Sequence, residues 1–135
     1  MEFKTIIIRR ITLHDEKIWV ETKSNKTGYD ASFGLCEWAN CFYISFLKDD
    51  FPKFIYPDNN NYINSDFSSI EFHWGITFYE EKIINDKTII TIGCDFMHLY
   101  DNETYGREDS GELILKNHAE KYIKSFFDVY KLRSS

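Results

Sequence analysis

The feature that most constrains the fold is a change of hydrophobic period along the chain: apolar residues recur every second position through most of it and every three or four positions near its end. Ile70, Phe72, Trp74, Ile76 and Phe78 alternate with Glu71, His73, Gly75, Thr77 and Tyr79. Thr88, Ile90, Ile92 and Cys94 alternate with Ile89, Thr91, Gly93 and Asp95. In a strand, successive side chains point to opposite faces, so each segment reads as a two-sided strand with one core face. Toward the end, Ala119, Tyr122, Ile123, Phe126 and Tyr130 lie on one face of a helix running to about Leu132, with Asn117 and Glu120 spaced as a capping box. Strands followed by one helix predict an α+β fold, an antiparallel β-sheet with a C-terminal helix packed on one face.

The earlier chain fits the same scheme. Residues 3–13 and 18–22 are β-branched and aromatic around the polar HDEK, a predicted hairpin with His14 in its turn. Residues 24–34, rich in Gly, Ser and Asn, read as a loop, and residues 35–47 as a strand. Residues 57–66, with three consecutive asparagines, read as an exposed loop. With 135 residues, 43% of them hydrophobic and 18% aromatic, the chain suits one domain, residues 1–135, with a core that needs no metal or disulfide staple. Cys36, Cys41 and Cys94 match no zinc or disulfide spacing, and no signal peptide precedes them, so reduced thiols and a cytoplasmic location are expected. No apolar run approaches the roughly 20 residues of a membrane helix.

A formal net charge of −6 argues against a nucleic-acid phosphate binder, which needs a clustered basic surface, and leaves room for mimicry of nucleic acid or for cation binding. The acid is concentrated: Asp95, Asp101, Glu103, Glu108, Asp109 and Glu112 face one base, Arg107, in that part of the chain. A solvated acidic loop is the simplest reading of such a run.

Two oddities mark a candidate site. FHWGITF places His73 and Gly75 inside a predicted strand, and GCDFMHLYD places Gly93, Asp95, His98 and Asp101 at the end of the next. With residues 80–87 as the hairpin loop, His73 pairs with Gly93, Gly75 with Thr91 and Glu71 with Asp95, which makes His73 and Asp95 diagonal neighbours. Strand-interior glycines often mark close approach by a ligand or backbone, so Gly75 and Gly93 would leave a hollow bounded by His73, Thr77 and Asp95 and covered by His98. Two imidazoles and a carboxylate can hold a divalent transition metal with open positions, or work as general base and acid on a phosphodiester, with Thr77 positioning a substrate oxygen. A satisfied polar pair supporting the sheet is the competing structural reading. Cys94 falls on the helix-facing side with Ile90 and Ile92, where a thiol is inert.

The run His73-x-Gly75-x-Thr77-Phe78, followed by Gly93-x-Asp95-x-x-His98-x-x-Asp101, resembles a family of small proteins encoded in bacteriophages and related mobile elements, whose members read HGG(I/L)T(Y/F) and GFDCAHxxD. The resemblance extends over residues 41–131; Trp74 stands where the family has its second glycine, and Cys94 where it has phenylalanine. The resemblance implies the fold and a phage setting; the site is read from the residues themselves, with Gly75, Gly93 and Asp101 as ligand-binding and His73, Thr77, Asp95 and His98 as catalytic candidates. Two functions follow: an accessory protein acting against a host defence system, with a His/Asp site for a nucleotide or phosphodiester, or a non-catalytic acidic inhibitor that binds a host immune effector. Its partners would be a host defence protein or a small nucleotide ligand, with neither nucleic acid nor membrane bound directly.

Overall fold

In the computed structural model, residues 6–13, 17–31, 34–58, 61–96, 105–106 and 109–134 are described. Five strands, β1 (Ile6–Leu13), β2 (Ile18–Ala31), β3 (Gly34–Leu47), β4 (Phe78–Ile84) and β5 (Lys87–Asp95), form one antiparallel sheet in the order β1-β2-β3-β5-β4. Two helices follow, α1 (Ser110–Asn117) and α2 (Ala119–Ser134). The fold is α+β, as the change of period predicts. No helix among the described residues is long and apolar enough to cross a membrane.

Alternation along the central strand divides the molecule. Phe42, Ile44 and Phe46 of β3 point inward, with Ile18 and Val20 of β2 and Ile90, Ile92 and Cys94 of β5 beside them, all buried. The helices and the chain between β3 and β4 cover this inner face. Aromatic rings do most of the filling: Phe46 meets Phe51, Phe54, Phe67 and Phe126 at centroid distances of 5.1–6.1 Å. Such tilted and edge-on pairs satisfy the ring quadrupoles as well as burying area.

Several expectations are overturned. Residues 70–77 are not a strand. Phe72 and Gly75 close a turn in which Gly75 N–H donates to the Phe72 carbonyl at 3.0 Å, and strand pairing begins only at Phe78. Ile70 and Phe72 do enter the core, but from this turn, whereas Trp74 is 65% exposed. The connection between β4 and β5 is two residues long, Asn85-Asp86 at φ 51° and 64°, the backbone of a type I′ turn whose twist matches the flanking strands. Consequently Phe78 stands opposite Gly93, where His73 was expected. The segment 24–34 is mostly strand as well: β2 continues to Ala31, and a bulge between Lys26 and Tyr29 absorbs the extra residues, Gly28 among them. At the C-terminus the chain is already helical before Asn117, so the predicted capping box is not the helix start. His118 N–H donates to the Ile114 carbonyl, and the His118 carbonyl accepts from Tyr122 N–H, forming the corner between α1 and α2.

One buried charge fastens the helix to the loops. Asp66, nearly fully buried, accepts from Ile55 N–H at 2.6 Å and from Arg133 of α2 at 2.9–3.2 Å. Removing it would take the partner from the Ile55 N–H and leave the half-exposed Arg133 guanidinium to water. Asp66→Ala is expected to lower stability by about 1–2 kcal/mol in urea denaturation, the scale of hydrogen bonds lost from a buried carboxylate whose arginine partner is half exposed; no measurable loss would assign the fastening to the rings alone.

Candidate functional site

The turn at residues 72–75 carries His73 onto the ring of Phe96, stacked at 4.2 Å with only 9° between the planes. Phe96 follows the last residue of β5 and is held by its N–H donating to the Asn40 carbonyl at 2.9 Å. Beside this pair lie Tyr105 and His118, whose hydroxyl and Nε2 are 2.6 Å apart in a hydrogen bond. The His73 ring is 5.8 Å from that of Tyr105 and 6.4 Å from that of His118, edge to face in both cases. His118 lies in turn 5.9 Å from Tyr122, nearly parallel. Two histidines are therefore brought together, but the second is His118.

The polar seam beneath α1 positions this group. Arg9 donates to Ser24 Oγ at 3.3 Å, Ser24 Oγ donates to Asn40 Oδ1, and Asn40 Nδ2 donates to the Tyr105 carbonyl at 2.6 Å. Gly111 makes the fit possible. A Cβ there would stand 2.4 Å from the Arg9 guanidinium and 2.7 Å from Thr22 Oγ1. The seam closes the inner end of the sheet around Tyr105 and leaves the imidazoles half-buried among rings. Their surroundings include packed aromatic side chains and the short Tyr105–His118 hydrogen bond.

Asp95 lies on the other side of the sheet. It stands opposite Cys41, and its Oδ2 accepts from Thr77 Oγ1 at 3.3 Å, so the expected Thr77–Asp95 proximity is present. His98 and Asp101 lie outside the described residues. Among the described residues no group of three or more His, Cys, Asp and Glu side chains is placed to hold a metal ion. The two glycines have separate reasons. Gly75 has φ 85° with nothing within 4 Å of where a Cβ would stand, so it serves the turn. Gly93 lies under the Tyr43 ring, where a Cβ would come within 2.2 Å of the Phe42 carbonyl and 2.6 Å of the ring itself. The space expected beside Gly93 is filled by Tyr43.

Space of another kind lies on the outer face of the sheet. A hollow of about 510 Å³ is lined by Arg10, Lys23, Tyr43, Phe78, Glu80 and Lys82 among others, and it adjoins one of about 270 Å³ walled by Trp19, Ile84 and Ile89. The two share Arg10, Glu21, Ser45 and Ile89. Cross-strand pairs shape the floor, with the Ser45 and Thr91 hydroxyls bonded at 2.9 Å and Arg10 donating to Glu21 at 3.0 and 3.3 Å, while the Tyr43 and Phe78 rings, from strands on either side of β5, meet at 5.1 Å over Gly93. Lys23 reaches over the Tyr43 ring at 5.5 Å. Burial, with lesser effects from Cys41, Glu21 and Asp95, pushes the Tyr43 hydroxyl well above the ordinary tyrosine range. Burial likewise pushes the Cys41 thiol up, aided by the Asp95 charge and opposed by its bond to Tyr43 and by Lys23. The sequence missed this surface because it follows from which face the helices cover, which alternation alone does not specify.

No family model, curated protein or solved structure matches the chain.

Two measurements check this description. Gly75→Ala is expected to cost about 1 kcal/mol of stability, the strain of a left-handed L-residue in open space. Gly93→Ala is expected to cost about 3 kcal/mol, because a backbone carbonyl must yield; equal losses in thermal melts would mean that Tyr43 does not fill the space. Second, a raised thiol pKa means less thiolate at neutral pH, so Cys41, together with Cys94 buried in the core, is expected to react with a disulfide reagent at least about tenfold more slowly in the folded than in the urea-unfolded chain. Fast reaction at Cys41 in the folded protein would contradict its burial.

Proposed function

We propose that this chain is a binding protein that presents the outer face of its sheet to a protein partner. The observation that carries the reading is the pair of adjoining hollows on the one face that neither helix covers. Their composition suits such contact. Trp19, Tyr43 and Phe78 supply rigid apolar area, Arg10 and Lys82 supply directed donors, and Glu21 and Glu80 supply acceptors, the residue types that carry interface energy. The inner cluster of His73, Phe96, Tyr105 and His118 supports the fold at the sheet's end. The phage resemblance supplies the partner's class, a component of a host defence system, with the chain as its non-catalytic inhibitor.

A second reading places a nucleotide or phosphodiester ligand at the His73 end. What favours it is the convergence of two imidazoles within 6.4 Å, with the Tyr105 hydroxyl bonded to one of them.

Photo-crosslinking groups placed at Ser45 and at Lys23 are expected to join the chain to one host protein in cells, whereas one at Lys124 on α2 is not. With that partner in hand, Tyr43→Ala and Arg10→Glu are each expected to weaken binding at least tenfold, about 1.4 kcal/mol or more, without loss of helical or strand signal. Crosslinks from Lys124 alone would reject the outer face. A nucleotide that binds the wild type but not His73→Ala or His118→Ala, at unchanged melting temperature, would establish the second reading.

A further inference from the structure

Strand β4 is an edge strand of seven residues, and its last five are exposed. Ile83 is 75% exposed and Ile84 45% exposed, a costly display on an element whose outer backbone groups have no neighbouring strand in the sheet. Between Phe78 and Ile84 stand two opposite charges, Glu80 and Lys82, on the same face; neither has an ion-pair partner among the described residues. An edge strand that pairs with its own copy around a two-fold axis perpendicular to the sheet keeps each face aligned, so only registers centred on a residue are open to it. Centred on Glu80 or on Lys82, the strand would set like charges on the outer face directly opposite each other. Centred on Glu81, it sets Glu80 opposite Lys82 twice, Phe78 opposite Ile84 twice and Tyr79 opposite Ile83 twice. The one like-charge pair left at the centre, Glu81 against Glu81, is on the inner face, where Lys48 already lies 3.4 Å from Glu81 and the Tyr79 hydroxyl donates to it at 2.7 Å.

We propose that two copies of this chain pair through β4 in the register centred on Glu81, joining their sheets into one of ten strands with a continuous outer face. Both exposed isoleucines then meet rings of the second copy, and each unpaired charge meets its opposite at cross-strand distance. On the other edge the central registers carry a like-charge cost. Arg9 and Arg10 stand at the middle of β1, so pairing of β1 with a second β1 about either of them sets arginine against arginine. One self-complementary edge per chain gives a closed dimer rather than a filament.

The test uses the purified chain alone, with no partner, and so is independent of the binding reading above. Sedimentation equilibrium over a concentration series is expected to show a monomer–dimer equilibrium that weakens with added salt. Lys82→Glu turns two attractive pairs into repulsive ones and is expected to raise the dimer dissociation constant at least about tenfold. The double variant Glu80→Lys with Lys82→Glu swaps the charges and is expected to return it to within about threefold of wild type. All positions are exposed, and circular dichroism checks that each variant folds. A wild-type chain monomeric at every concentration would mark Glu80, Glu81 and Lys82 as charges that blunt the edge, and would overturn the proposal. So would a dimer indifferent to Lys82→Glu, or a double variant no tighter than the single one.

Discussion

The edge-to-face contact between Phe46 and Phe126, 5.1 Å between centroids with both side chains fully buried, joins the central strand to the long helix, and most of the inner core is assembled around it. Phe51 and Phe54 from the turn after β3 and Phe67 from the loop beyond complete the cluster, each within 6.1 Å of Phe46. Burial of one such ring stabilises by roughly 1.5–3 kcal/mol, and its neighbours are distant in sequence, so the cluster is where long-range order is concentrated. Asp66 and Arg133 then clamp the helix end to the loop that carries Phe67. A charged pair at that position is stable because the rings have already fixed both elements.

Concentrating apolar area on one side decides the character of the other. With α1, α2 and the chain between β3 and β4 on the inner face, no other described residues form a layer over the outer residues of β2, β3, β5 and β4, and their pairs must be stable in contact with water. They are: hydroxyl with hydroxyl at Ser45 and Thr91, charge with charge at Arg10 and Glu21, ring with ring at Tyr43 and Phe78. The same pairs leave hollows between them, since side chains that stand upright on a twisted sheet do not close over its middle. The hollows on the outer face are thus a consequence of where the core was placed.

How much of this was legible follows from what each signal measures. Strands β3 and β5 were readable because both faces of each have a definite environment, and the period of α2 was readable for the same reason. The helix signal failed at its start because α1, whose buried residues are Ser110, Gly111 and Ile114 with a single large apolar side chain among them, runs into the same corner. FHWGITF misled for a physical reason: Ile70 and Phe72 reach the core from a turn, and alternation records burial without recording hydrogen bonding. The turn's glycine, Gly75 at φ 85°, is preceded there by Trp74, itself left-handed at φ 60°, a position where a bulky residue gives no warning of a turn. The true strand, FYEEKII, alternates poorly since five of its seven residues face water. In the candidate site, Thr77 reaches Asp95 through the register that the two-residue turn sets, five positions from the one the longer loop implied, while Tyr105 with His118 depends on how α1 folds back across Ser24 and Asn40, which no local pattern encodes.

The placement of β4 shows how an element with little burial can still be well defined. Among the described residues, the non-glycine positions with positive φ are Trp74, Asn85 and Asp86, and they stand just before and just after this strand. Each costs on the order of 1 kcal/mol relative to right-handed backbone, so both ends of β4 are set by turns that the rest of the fold must hold in place. At one end Phe72 anchors the turn in the core; at the other, the type I′ geometry imposes the twist that β5 requires. A strand fixed in this way loses little conformational freedom when another strand pairs with it. Association at such an edge is opposed mainly by the entropy of bringing two molecules together, and seven residues of ladder with two charge pairs act directly against that cost.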